Sequence, residues 1–227
     1  MVLVATIKLV FGVVSCLAAA PALSLVFLRR RHFELFVAVS QLLAALFYSA
    51  SDALATDRLL FVKTGDWHCI SDVLTETYVC LLALNLFPLR SEGATLALRY
   101  AALALTVWAK LADGWEGVFA ETLVVSVFVL PALAVAAHTA LQGRGGRGAL
   151  PAHLLKALHS PVYEAKLAPV AAGCALVGAA LLALEQRVDT STRLFNALAR
   201  VAFGGAAWAL WGLQKAAAKE HTLPLFR

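Results

Sequence analysis

Charge is what this sequence has least of. Of 227 residues, 15% are Asp, Glu, Lys or Arg, while 61% are hydrophobic and the mean hydropathy is +0.80. A soluble domain is about one quarter charged and about half apolar. A soluble globular class is therefore excluded, and an integral membrane protein is expected, a single bundle with no room for a second domain. Paired cysteines are missing as well. Cys16, Cys69, Cys80 and Cys174 show no C-x-x-C spacing, and three of them lie in apolar segments, where Cys acts as a small hydrophobe. No redox role follows. Acidic residues are outnumbered 14 to 19 by basic ones, but the basic ones gather between apolar stretches. That pattern sets membrane orientation and excludes nucleic acid as a partner.

What is present is a series of apolar runs, and they predict an all-α bundle of seven transmembrane helices over residues 1–227. The spans fall at about 2–28, 33–54, 69–86, 95–111, 118–141, 163–184 and 192–213. The first contains C-L-A-A-A-P-A, which has the look of a signal-peptide cleavage region. The Arg29-Arg30-Arg31-His32 cluster straight after it reads as a stop-transfer flank. A polar loop with Asp57, Arg58, Lys63, Asp66 and Trp67 follows the second span. Pro131 predicts a kink in the fifth. The sixth is dense in Ala and Gly, which suits close helix approach within the chain or across a homodimer. The loop Gln142 to Val162 holds G-R-G-G-R-G and several basic and histidine residues.

Counting Lys and Arg by side orients the chain. Arg29, Arg30, Arg31, Arg90, Arg144, Arg147, Lys156, Lys215, Lys219 and Arg227 fall on one side, against Arg58, Lys63, Arg187 and Arg193 on the other. The positive-inside rule then puts the N-terminus outside or lumenal and the C-terminus in the cytosol, in the plasma membrane or a secretory-pathway membrane. The Arg29 to Arg31 cluster fits this orientation, and it fits anionic lipid headgroups equally well.

The most informative stretch is Thr190 to Gly212. It is long enough to cross a bilayer, yet it carries Asn196 and Arg200 one turn apart on one face. Arg200 lies roughly 12 Å past the start at ~1.5 Å of rise per residue. A charge at such depth costs about 2.5–3.5 kcal/mol and faces a protein interior that holds a partner. The topology brings Ser49 and Asp52 of the second span, and Asp72 and Glu76 of the third, to the same outer level. Two readings stay open for these six residues: an ion-pair cluster locking helices together, and a pocket that binds a polar headgroup or substrate.

R-R-R-H-F-E at Arg29 to Glu34, F-Y-S-A-S-D at Phe47 to Asp52, S-D-V-L at Ser71 to Leu74 and D-G-W at Asp113 to Trp115 resemble the transmembrane protein 8 and myomaker family. That family belongs to the superfamily of alkaline ceramidases and adiponectin-type receptors. The resemblance covers nearly the whole chain at low identity and implies seven helices with an external N-terminus. It also implies a zinc site in hydrolytic members, built from one histidine on the second helix and an H-x-x-x-H pair on the seventh, with an Asp on the third. Here Ser49, Asn196 and Arg200 stand at the histidine positions, and Asp72 at that of the Asp. Zinc needs converging neutral imidazoles, and a guanidinium has no lone pair to give. No cofactor is therefore expected, with Arg200 supplying the positive charge of the metal and Glu76 an added acid.

Two functions follow. One is a non-catalytic multipass protein acting in membrane organisation, adhesion or cell fusion through lipid contacts. The other is a ceramidase-like hydrolase of a lipid amide or ester, which would require zinc. A transporter or channel draws only on the polar interior. Lys215 invites a retinal-protein reading, but it lies at the end of the last span, outside the pocket.

Overall fold

The computed structural model describes residues 2–87, 91–113, 119–134, 167–188 and 194–213, and these are almost entirely helical. The first apolar run forms two helices, α1 (Val2–Leu17) and α2 (Ala20–Leu28). Pro21 explains the break, since it cannot donate to the carbonyl one turn back. The N–H groups of Ala18 and Ala19 fold back instead on Ser15 and Cys16, at 3.3 and 3.1 Å. The chain then reverses through Arg30, which is left-handed (φ 54°). Arg31 N–H reaches the Val26 carbonyl and Arg30 N–H the Phe27 carbonyl, the double closure that ends many helices, usually with glycine.

Helix α3 (His32–Leu54) ends in the same way, with Ala55 left-handed at φ 49°. The loop after it is not irregular but a short hairpin, a small addition to an otherwise helical chain. β1 (Arg58–Leu59) pairs antiparallel with β2 (Val62–Lys63). The two turn residues, Leu60 and Phe61, both have positive φ, a conformation that asparagine and glycine adopt far more readily. The hairpin is held by the Trp67 indole N–H donating to the Leu59 carbonyl at 3.0 Å. It delivers the chain into α4 (Thr64–Asn85), five residues before the expected start. Asp66 in the first turn of α4 suits the positive end of the helix dipole.

α5 (Glu92–Asp113) opens with the Ser91 hydroxyl accepting from Ala94 N–H at 3.2 Å. α6 (Phe119–Val124) runs on through a π-helical turn, Val125–Val129. The distortion expected at Pro131 takes this form, one wide turn just before the proline. α7 (Leu167–Arg187) and α8 (Leu194–Leu213) pack on each other more extensively than any other pair. α8 also crosses the α1–α2 break at Gly204. A Cβ there would sit 2.7 Å from the Ala18 carbonyl oxygen, so the crossing requires glycine.

Four helices among the described residues are long and apolar enough to cross a membrane: Ala5–Leu28, His32–Leu54, Glu92–Ala112 and Leu167–Glu185. The apolar stretch Glu121–Ala134 is shorter. α4 and α8 have the length but carry the polar residues discussed below. Cys80, Ala102 and Phe128 centre one buried cluster, and Val26 and Trp211 a second. The distal parts of the fifth and sixth expected spans, the Gln142 to Val162 loop, the D-G-W glycine and tryptophan, Lys215 and most residues of the charge count lie outside the described residues.

Candidate functional site

Three helices meet at a small cavity, each offering residues three or four apart on one face. Lys8 and Gly12 come from α1, Ser49 and Asp52 from α3, Asn196 and Arg200 from α8. Gly12 lets α3 come close, because a Cβ there would lie 2.9 Å from that of Ser49. Arg200 Nη1 donates to Ser49 Oγ at 3.0 Å, and the buried Cys16 thiol also faces the guanidinium. Lys8 Nζ stands 3.7 Å from Asp52 Oδ2. At the start of α8, the backbone N–H of Asn196 donates to Glu185 Oε2 of α7 at 3.2 Å. The free space is about 30 Å³, enough for one or two waters.

Four of the six residues expected together, Ser49, Asp52, Asn196 and Arg200, thus surround one cavity. Asp72 and Glu76 are elsewhere, and the expected pairing of Arg200 with these two acids is corrected by their actual partners. Asp72 Oδ2 is 3.0 Å from His68 Nδ1, one turn back on α4. Glu76 Oε1 is 3.0 Å from Lys110 Nζ of α5, which also lies 2.9 Å from Glu121 Oε1 of α6. The Lys110 side chain is 2% exposed. Glu76 turns towards α5 and not towards α8, while Asp72 stays with His68 on α4 itself, and nothing in the periodicity of α4 distinguishes these arrangements. Among the described residues, Glu76 Oε2 has no hydrogen-bond partner.

A third polar node lies at the opposite end of α3. Glu34, 2% exposed, takes Arg99 Nη2 at 2.7 Å and Arg31 Nη1 at 3.6 Å on one carboxylate oxygen. Arg31 also lies over the Trp211 ring, 5.2 Å from its centroid. Arg29 Nη1 donates to the Trp211 carbonyl. The Trp211 indole N–H donates to the Tyr78 hydroxyl at 2.7 Å. Burial pulls the Arg31 guanidinium below its usual value, while Glu34 pushes it back up. R-R-R-H-F-E is thus an architectural motif tying α2 and α3 to α5 and α8. In the sequence its arginines read as flanks. The signal available was Glu34, an acid set at the head of an apolar run and three residues from Arg31.

Chemically, the cavity offers donors: an ammonium, a guanidinium, an amide and a hydroxyl, with one carboxylate. Among the described residues, no group of three or more His, Cys, Asp or Glu side chains could hold a metal ion. This is a helical membrane protein with a cation-lined cleft between three of its helices. Residues 5–195 match the family described as Protein of unknown function (DUF3522), and the chain belongs to that family. No curated protein matches it.

Proposed function

We propose that this chain is a seven-span membrane protein, N-terminus outside or lumenal and C-terminus cytosolic, that acts without hydrolysis. Its role would lie in membrane organisation, adhesion or cell fusion through lipid contacts, as for the transmembrane protein 8 and myomaker proteins its motifs resemble. Four helices already have the length and hydropathy of spans. α4 and α8, at 22 and 20 residues, are about 33 and 30 Å long at ~1.5 Å per residue, enough for a hydrocarbon core of about 30 Å. Glu76 of α4 and Arg200 of α8 meet side chains of other helices, which supports counting the two as spans. α6 with its π turn makes the seventh.

The observation that carries the non-hydrolytic reading is the hydrogen bond from Arg200 to Ser49 at 3.0 Å. These residues stand at two of the positions where the resemblance would place metal ligands. A fixed guanidinium spans the ground between α3 and α8 and brings its own positive charge. Metal analysis of the purified protein tests this directly. Substoichiometric zinc is expected, with no release of fatty acid from ceramide. Stoichiometric zinc, or hydrolysis abolished by Arg200→Leu, overturns the reading in favour of a ceramidase-like enzyme.

A further inference from the structure

We propose that the cavity between α1, α3 and α8 binds the anionic headgroup of a membrane lipid, held by Lys8 and Arg200. The inference rests on the membrane-spanning reading above and gives its lipid contact a place and a charge.

The argument begins with charge balance. Among the described residues, the lining carries two cations, Lys8 and Arg200, and one carboxylate, Asp52, while the Glu185 carboxylate stands behind the lining on the Asn196 backbone N–H, so within the cavity itself positive charge is in excess. On helices surrounded by lipid an uncompensated charge is costly, and the deficit calls for an anion. The donors are also underused. At 3.7 Å, Lys8 and Asp52 are beyond hydrogen-bond distance. Arg200 has five N–H groups, of which one goes to Ser49 and one faces the Cys16 thiol. The Asn196 amide lines the same space. An ammonium beside a guanidinium and an amide suits the oxygens of a phosphate or carboxylate.

Size and surroundings decide between a free ion and a lipid. About 30 Å³ admits one or two oxygen atoms and leaves the rest of the headgroup at the mouth. Phe11 lines that mouth, and Phe11, Val10 and Val14 of α1 are 36%, 51% and 55% exposed. This apolar strip beside a cationic cleft matches acyl chains hanging from a charged head. Lys110, by contrast, already has two carboxylates within 3.0 Å and calls for nothing more.

The test uses the full chain in neutral detergent, titrated with dihexanoyl phosphatidic acid, dihexanoyl phosphatidylcholine or inorganic phosphate, with binding read by thermophoresis. Saturable binding of phosphatidic acid is expected, with phosphatidylcholine and inorganic phosphate much weaker. Lys8→Gln and Arg200→Gln should each weaken it by about tenfold or more, the effect of losing one charge-assisted hydrogen bond. Asp52→Asn, which removes the competing carboxylate, should tighten it. Lys8→Gln, at a side chain that is 25% exposed, keeps the test open if Arg200→Gln fails to fold. Inorganic phosphate binding as tightly as phosphatidic acid overturns the lipid assignment, and affinities unchanged in all three variants overturn the site. Zinc is measured in the same samples: zinc-free protein that ignores every anion sinks only this inference, whereas stoichiometric zinc sinks the non-hydrolytic reading.

Discussion

Two cations set among these helices, Lys110 buried and Arg200 partly exposed, are treated in opposite ways. Lys110 is enclosed, 2% exposed, with carboxylates of α4 and α6 at 3.0 and 2.9 Å. Arg200 has a neutral hydroxyl at 3.0 Å and an open cavity beside it whose lining includes a second cation, Lys8. Lys110 is enclosed and over-supplied with negative charge, although its Glu121 partner is half exposed; the cavity at Arg200 is over-supplied with positive charge and open. Burying a charge is tolerable when a partner offsets its desolvation. Lys110 therefore has the environment of a structural tie between α4, α5 and α6. Arg200 has that of a group whose partner arrives from outside.

The sharpest way to break this contrast is to remove Lys110. Lys110→Met leaves the Glu76 carboxylate, with one oxygen already lacking a partner among the described residues, buried without its cation. Removing one member of a buried pair costs about 3–5 kcal/mol. That loss should appear as earlier unfolding in denaturant-titrated micelles. Adding Glu76→Leu should recover most of it, because a well-packed apolar replacement of a buried pair is close to neutral. A loss below about 1 kcal/mol, the range of an exposed pair, would put Lys110 in the same class as Arg200.

A smaller effect concerns how α8 is held against α1. Gly204 lies one turn beyond Arg200, and a Cβ there would meet the Ala18 carbonyl oxygen at 2.7 Å and its carbon at 3.0 Å. Backbone cannot yield as a flexible side chain does, so Gly204→Ala should cost about 1–3 kcal/mol and draw Arg200 away from Ser49. Gly173 of α7 is the control, with nothing within 4 Å of an added Cβ. Gly173→Ala should be neutral or stabilising by about 0.5–1 kcal/mol. Equal losses in both variants would mean that the crossing at Gly204 does not position the cavity.

The contrast also shows what could be seen in the chain beforehand. Apolar runs announce helices, and the Arg29 to Arg31 cluster announces where the first run ends, while the break before Pro21 falls inside a run that reads as one span. Ser49, Asp52, Asn196 and Arg200 could be brought to one level because each lies at a countable depth along its helix. Azimuth is different. Periodicity says that Asp72 and Glu76 share a face of α4 but not which neighbour that face meets, so both were assigned to the wrong cation. Lys8 is a lone charge within an apolar run and Lys110 stands near the end of another, places at which neither spacing nor depth names a partner. The hairpin at Leu60 and Phe61 was illegible for another reason: its left-handed residues are not the asparagine and glycine that advertise such a turn.

The smallest expected effect is the one that composition alone would rank highest. If Arg200 neutralised Asp72 and Glu76, replacing it would strand two carboxylates and cost several kcal/mol. These acids are instead paired with His68 and Lys110. Arg200→Leu thus forfeits one charge-assisted bond to Ser49, worth about 1.5–3 kcal/mol. The same substitution relieves the desolvation of a guanidinium that has no carboxylate of its own on α4. The net change in unfolding free energy should stay within about 1 kcal/mol, while the binding of an anionic lipid collapses. Both are read on one preparation, by denaturant titration and by thermophoresis. A stability loss as large as that of Lys110→Met would make the two cations equivalent and reduce the open cavity to a second structural lock.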